Sequence, residues 1–368
     1  MRPPLADIVA TLPDTVPFVA PEAIERTSGI PIRARVGANE SAFGPSPHVI
    51  EAMQSAAAQM WKYCDPQNHD LAAALAAHLG IDPANIAVGE GIDGLQSVAA
   101  RLYLQPGTQV LTSLGAYPTF NYHAAVCGAQ VIALPYRADR EDLDALLDHA
   151  RRERPRVVYF CNPDNPMGTW HSGADVAEFA ARLPDECMLM LDEAYGETAP
   201  AGSLPHIPVE RENVLRFRTF SKSYGLAGLR VGYAFGAAAT VAAFNRVRNH
   251  FGVNRMAQVA ALAALGDQNW LASVIARNAA ARERIAAIAR ENQLAAIPSA
   301  TNFVAVDCGR DGAFALRVLN ALATRGIFVR KPMAPGLDRC IRISTAPDDI
   351  LDVVANELPH ALAAAGST

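Results

Sequence analysis

Short apolar runs recur along much of the chain, each followed by a turn and a stretch with helical spacing. Ile86-Ala87-Val88, Gln109 to Thr112, Gln130 to Leu134 and the runs beginning at Val157, Met188, Val214 and Val231 are too short for helices. They also lack a 3.6-residue period. Strands that are apolar without alternation are covered on both faces. Interleaved with helices, such strands predict an α/β fold with a mostly parallel sheet flanked by helices. His48 to Trp61 and Leu71 to Leu79 have helical spacing, the second ending at Gly80, a residue suited to closing a helix. A further helix follows Gly89 to Gly94 and runs to about Tyr103. Two helices follow Gly236, and an alanine- and arginine-rich helix from about Trp270 to Glu291 links to a second unit. There Asn302 to Asp307 and Cys340 to Ser344 read as strands, and Phe314 to Thr324 and Asp348 to Ala364 as helices. That pattern is a small α+β domain.

Length agrees: 368 residues suffice for one large and one smaller domain, each with its own core. Hydrophobic content of 51% and charged content of 19% fit a globular enzyme. A net charge of -5 and the lack of a long basic run argue against a nucleic-acid partner. Arg151-Arg152-Glu153-Arg154 reads as a solvated helix end. Cys64, Cys127, Cys161, Cys187, Cys308 and Cys340 have no metal-type spacing, and several lie in apolar runs, where a free thiol packs as a small hydrophobe. No metal is expected, and the compartment reads as reducing and cytoplasmic. Met1-Arg2-Pro3-Pro4 lacks the apolar core of a signal peptide. No apolar run is long enough to span a bilayer, so no membrane partner is expected.

The chemistry concentrates in Thr219-Phe220-Ser221-Lys222-Ser223-Tyr224-Gly225-Leu226-Ala227-Gly228-Leu229-Arg230. A lysine sits between hydroxyls, and an arginine follows eight residues on, across a glycine-bearing stretch able to fold around a ligand. The amine can hold an aldehyde while Thr219, Ser221 and Arg230 hold a phosphate, as a lysine Schiff base to pyridoxal 5'-phosphate requires. By itself the segment also fits a surface turn with ordinary basic residues.

Upstream, the apolar run Cys187 to Leu191 ends in Asp192-Glu193-Ala194-Tyr195. An acid at the carboxyl end of such a strand sits where open α/β sheets bind ligands. Asp192 can pair with a protonated pyridine nitrogen, and Tyr195 can donate to the ring phenolate oxygen. A strand-end aspartate capping the next helix is the alternative. Val157 to Cys161 leads into Asn162-Pro163-Asp164-Asn165-Pro166-Met167-Gly168-Thr169, a rigid turn from which Asn165 can reach the same oxygen. A plain Pro/Asn turn is the alternative.

In this order and spacing the segments resemble the fold-type I, class I/II aminotransferases, and within them the histidinol-phosphate aminotransferase branch. The resemblance runs from Asn39-Glu40 to Cys340-Ile341-Arg342-Ile343-Ser344. It implies a large pyridoxal phosphate domain over residues 45–255. Residues 1–44 and 256–368 would form the small domain, the N-terminal segment packing with it. The backbone amides of Ile92 and Asp93 would hold the cofactor phosphate, and Tyr117 would stack on the pyridine ring. Gly94 stands where many relatives carry an acid, which leaves that backbone role intact. Tyr63 matches a tyrosine that crosses a dimer interface to the cofactor phosphate, although Cys64 replaces the usual proline. The functional unit would be a homodimer with shared active sites.

On the substrate side, Arg342 matches the arginine that holds an α-carboxylate, its guanidinium fork matching that group bidentately. Arg330 matches a residue that meets a distal anion. Asn39, Phe18 and Asn254 fall in substrate-side segments. Phe18 stands where many relatives have tyrosine, and Ala42-Phe43 replaces a proline-containing turn, so Phe43 can add aromatic contact. The resemblance implies small-molecule partners, an amino donor and a 2-oxo acid, with Lys222 carrying the proton between carbons. Histidinol phosphate with 2-oxoglutarate is the leading pair, and an aromatic amino acid is the alternative donor. A pyridoxal phosphate-dependent decarboxylase or lyase would share the cofactor site. A non-catalytic regulator would need an appended DNA-binding module, for which the proline-rich segment before residue 45 is too short.

Overall fold

Val157–Cys161 and Met188–Asp192 are buried at every position and lie side by side at the centre of a seven-stranded sheet. The computed structural model describes residues 3–14 and 19–367. In chain order its strands are β1 (Ala34–Arg35), β2 (Ile86–Gly89), β3 (Gln109–Ser113), β4 (Gln130–Leu134), β5 (Val157–Cys161) and β6 (Met188–Asp192). They continue as β7 (Val214–Thr219), β8 (Gly232–Gly236), β9 (Ala295–Ala296), β10 (Phe303–Asp307), β11 (Ile327–Phe328) and β12 (Cys340–Ser344). The large sheet runs β2-β8-β7-β6-β5-β3-β4. Strands β7, β6, β5, β3 and β4 are parallel, and β8 is antiparallel to both of its neighbours.

Alternation along β5 explains its all-apolar sequence. Val157, Tyr159 and Cys161 pack with Leu95, Ala99 and Phe120 on one face. Val158 and Phe160 pack with Leu146, Leu147, Val176 and Phe179 on the other. Successive strand side chains point to opposite faces, and helices cover both. Each fully buried Leu, Val or Phe contributes about 1.5–3 kcal/mol of transfer free energy. A third cluster holds Val49, Leu75, Phe220 and Val231 with Ala257, Ala260 and Ala261. The helix Arg255–Gly266, expected to open the smaller unit, therefore shares its core with the larger one.

The smaller unit has the antiparallel sheet β12-β10-β9 and the parallel pair β1-β11. Ala34 and Val36 pack with Ile341, Ile343, Leu351 and Leu358, whereas the helix Asp7–Ala10 contacts the helix Thr119–Val126 of the larger unit. The helix Gln268–Glu291 spans the two: Leu271 lies in the larger core, and Ile285 and Ile288 in the smaller. No single helix among the described residues is long and apolar enough to cross a membrane. Parallel β5, β6 and β7 end on the same side, and their carboxyl ends face residues 38–40 and β12.

Candidate active site

A cavity of about 350 Å³ occupies that junction. Its lining includes Asn39, Ile92, Asp93, Tyr117, Asn165, Asp192, Tyr195, Thr219, Ser221, Lys222, Arg230, Arg330 and Arg342. Residues far apart in sequence meet there because β5, β6 and β7 each deliver a carboxyl end to it and β12 delivers Arg342 from its middle.

One end of the cavity is built for an anion. The helix Gly91–Tyr103 starts there with no side-chain cap, so the amides of its first turn face outward. The sequence expectation put the helix after Gly94; it starts at Gly91 and carries Ile92 and Asp93 in its first turn. The Asp93 carboxylate is held by His123 at 2.7 Å, which leaves its backbone for the cavity. Arg230 donates to Ser221 Oγ at 3.3 Å and to the Ala227 carbonyl at 3.1 Å. Thr219 Oγ1 accepts from the Ser221 amide at 3.0 Å, which fixes the turn before the lysine.

Lys222 Nζ donates to the Asn39 carbonyl at 3.1 Å and lies 5.6 Å from the centre of the Tyr195 ring. Burial, with Arg342 and Arg230 nearby, pushes the Lys222 amine down to about 8. Asp192, at the end of β6, accepts from Gln96 and Tyr159 at Oδ2, each at 2.9 Å, and from the Ala194 amide at Oδ1 at 3.0 Å. Burial raises its carboxyl. Asp164, which accepts from Tyr136 at 2.8 Å, is pushed up to about 7 by burial. The Tyr195 hydroxyl accepts from Asn39 Nδ2 at 2.9 Å and from Asn165 Nδ2 at 3.5 Å, and burial holds its own proton tightly.

Arg342 and Arg330 also line the cavity. Their backbones pair, Arg342 N–H donating to the Arg330 carbonyl at 2.6 Å, so both side chains leave adjacent backbone. Arg342 donates to Asn165 Oδ1 and lies 4.9 Å from the Phe303 ring centre. Its Nε is buried without a partner. Arg330 donates to the Val19 carbonyl at 3.1 Å.

Two of the residues expected at the site do not line this chain's cavity, and a third lies outside the described residues. Asn254 caps the helix Arg255–Gly266, its side chain accepting from the Ala257 amide at 2.8 Å, and it does not line the cavity. Tyr63 is 82% exposed and also lies outside this chain's cavity. Phe18 falls outside the described residues. Phe43, expected to add aromatic contact, instead packs on Arg277 at 4.9 Å, with Trp270 on the same guanidinium at 4.7 Å. In turn, Gln96 and Tyr159 escaped the sequence reading. Gln96 lies one helical turn beyond Ile92, a polar residue on a buried helix face, and that was its only local signal.

A nucleophilic lysine, an acid at a strand end, an anion cradle and paired arginines in one cavity define an enzyme of group transfer. A sequence model described as "Aminotransferase class I and II" matches residues 34–358. The chain belongs to that family and is an aminotransferase. It is 32% identical over 354 residues to the histidinol-phosphate aminotransferase of Geobacillus sp. strain WCH70, covering 95% of this chain and 96% of the relative. Histidinol-phosphate aminotransferase 2 of Pseudomonas aeruginosa is 36% identical over 362 residues, covering 96% and 97%. The crystal structure of histidinol-phosphate aminotransferase from Sinorhizobium meliloti in complex with pyridoxal-5'-phosphate superposes with a TM-score of 0.94 at 51% identity, covering 98% of this chain and 97% of that one.

Proposed function

We propose that the protein uses pyridoxal phosphate to move the amino group of L-histidinol phosphate to 2-oxoglutarate. The observation that carries this reading is the meeting of Lys222, Asp192, Tyr195, Asn165 and Arg230 in one cavity with Arg342 and Arg330. The donor set fits the cofactor. The uncapped helix start, with Thr219, Ser221 and Arg230, would hold its phosphate. Gly91 supports this, because a Cβ there would meet the Arg230 guanidinium. Asp192 would face the ring nitrogen, Asn165 and Tyr195 the ring oxygen, and Tyr117 the ring face.

Bound pyridoxal phosphate supplies an aldehyde carbon and an electron-withdrawing ring. Lys222 Nζ would hold that aldehyde at rest. As a free amine it accepts the proton that leaves the donor's α-carbon. Its depressed affinity for protons favours that role near neutral pH. Asp192, tied by Gln96 and Tyr159, would present a carboxylate to the ring nitrogen. Arg342 grips the α-carboxylate of glutamate or 2-oxoglutarate bidentately. Histidinol phosphate lacks that carboxylate, and Arg330 meets its phosphate or the distal carboxylate of glutamate.

The same machinery would serve an aromatic donor, but Phe43, which spoke for one, is engaged by Arg277 away from the cavity. The test mixes the cofactor-loaded protein with histidinol phosphate, and separately with phenylalanine, and follows loss of the cofactor's visible absorbance. The expected result is a much larger second-order rate constant for histidinol phosphate. Preference for phenylalanine would overturn the substrate, and carbon dioxide release would make the enzyme a decarboxylase.

A homodimer with shared sites belongs to the same proposal. Trp61 and Tyr63 are 79% and 82% exposed, and the Tyr63 ring lies tilted against half-exposed Phe251, an aromatic surface that a second copy would cover. Tyr63 would then reach the neighbouring copy's cofactor phosphate. A cytoplasmic location is supported by six free cysteines, five of them buried. The proposed domain division keeps the stretch around Ala34 and Val36 with the C-terminal unit, leaves the helix Asp7–Ala10 with the larger unit, and moves the second boundary into the helix Gln268–Glu291.

A further inference from the structure

Asn39 lies between the N-terminal strand and the helix Pro47–Ala56 and is only 2% exposed. Its φ of 55° is left-handed, a conformation asparagine accepts more readily than most residues. Ser344, the last residue of β12, holds it in place. The Ser344 amide donates to the Val36 carbonyl at 2.7 Å, and the Asn39 amide donates to Ser344 Oγ at 3.0 Å. The Ser344 hydroxyl proton then goes to Asn39 Oδ1 at 3.1 Å.

That last bond decides which way the side-chain amide faces. With Oδ1 occupied by a donor, Nδ2 is turned to the Tyr195 hydroxyl at 2.9 Å. Asn165 is fixed in the same manner, since its Oδ1 accepts from Arg342 while its Nδ2 faces Tyr195. A phenol has two lone pairs and one proton. Two amides facing its lone pairs leave the Tyr195 proton free for an acceptor in the cavity.

We propose that Asn39, set by Ser344, is a positioning residue that keeps the Tyr195 hydroxyl a donor toward the ring oxygen of bound pyridoxal phosphate. The inference rests on the cofactor reading above. Arg342 is required by the substrate carboxylate, so the Arg342–Asn165 link changes partners during turnover. The Ser344–Asn39 link has no such second duty and holds Tyr195 throughout. Asn39 also receives the Lys222 amine on its carbonyl, so one backbone position serves both the lysine and the tyrosine.

The test is the pH titration of the visible absorbance of the cofactor-loaded protein without substrate. A donor on the ring oxygen offsets its negative charge, so the neighbouring proton is held less tightly. Losing the donor raises the titration midpoint. Asn39→Gly, which tolerates the backbone angle, should raise it by roughly one pH unit, the value of one hydrogen bond to a charged group. Ser344→Ala should move it the same way by less. Asn39→Asp, which turns a donor into an acceptor for the Tyr195 proton, should move it at least as far as Asn39→Gly. In a Tyr195→Phe background, Asn39→Gly should add nothing. Wild-type midpoints in both Asn39→Gly and Ser344→Ala, with cofactor bound, would overturn the proposal, and so would a full additional shift in the Tyr195→Phe background. A wild-type protein that forms no absorbing adduct would instead sink the cofactor reading, and this inference with it.

Discussion

A Cβ built on Gly91 would stand 2.6 Å from Nη2 of Arg230, so the absence of a side chain at one residue makes room for the charge of the other. Gly91 also has a φ of 76°, which an L side chain adopts only with strain. Gly91→Ala should therefore displace the guanidinium from the anion cradle. Loss of one charge-assisted hydrogen bond, about 1.5–3 kcal/mol, predicts a 10- to 100-fold weaker dissociation constant for pyridoxal phosphate. Equilibrium titration of the cofactor-free protein measures it, and unchanged affinity would refute the cradle.

Lys222 should be indispensable. Lys222→Ala is expected to abolish turnover while leaving the anion cradle able to bind the cofactor without a covalent link. Steady-state assay and absorbance after gel filtration separate the two effects. Near-normal turnover would end the assignment.

With its amine pushed down to about 8, Lys222 is mostly protonated at pH 6 and mostly neutral at pH 9 in the cofactor-free protein. Only the neutral amine attacks an aldehyde. The rate of cofactor capture should therefore climb about tenfold per pH unit below 8 and level off above it. Arg342 contributes to the depression, second to burial, so Arg342→Gln should move the midpoint upward. Stopped-flow absorbance across pH reads both. The folded pKa lies below that of an unfolded lysine, so this group adds stability as pH rises from about 8 toward 10.4.

Gln96 and Tyr159 both donate to Oδ2 of Asp192. Removing either donor leaves a buried carboxylate less satisfied and raises its proton affinity further. Tyr159→Phe and Gln96→Leu are each expected to lower the single-turnover rate about tenfold or more. The loss should be steepest at low pH, where Asp192 protonates first. Rates that match wild type at pH 6 would exclude this role.

Glu193 is fully buried, and Arg216 and Arg218 pair with it at 2.6 and 3.1 Å. Glu193→Gln would leave two nearly buried guanidinium groups without their counter-charge. A cost of about 3–5 kcal/mol is expected, the usual penalty for breaking a buried pair from one side. Urea unfolding measures it, and a loss below 1 kcal/mol would mean that solvent reaches the arginines.

The strands were legible because burial on both faces leaves an unbroken apolar run, and β12 falls on the expected residues Cys340 to Ser344. The lysine segment, Asp192 and Asn165 were legible because each sits at a strand end whose position the apolar run reveals. Asn254 had a local signal for what it does here, an asparagine directly ahead of an apolar helix. The antiparallel course of β8 was not legible, since a short apolar run carries no direction.

The amino-acid sequence by itself determined the alternation of strands and helices, the family, and the candidate lysine, acid and anion-cradle residues that the fold brings into one cavity. These follow from local pattern and from residue types within a few positions of one another. Tertiary structure alone decided that Gln96 and Tyr159 hold Asp192, that Ser344 turns Asn39 toward Tyr195, and that Lys222 gives up its proton near 8. Those outcomes depend on hydrogen bonds between residues as many as 305 positions apart and on how much water the folded chain excludes. Neither quantity is written in any local stretch of sequence.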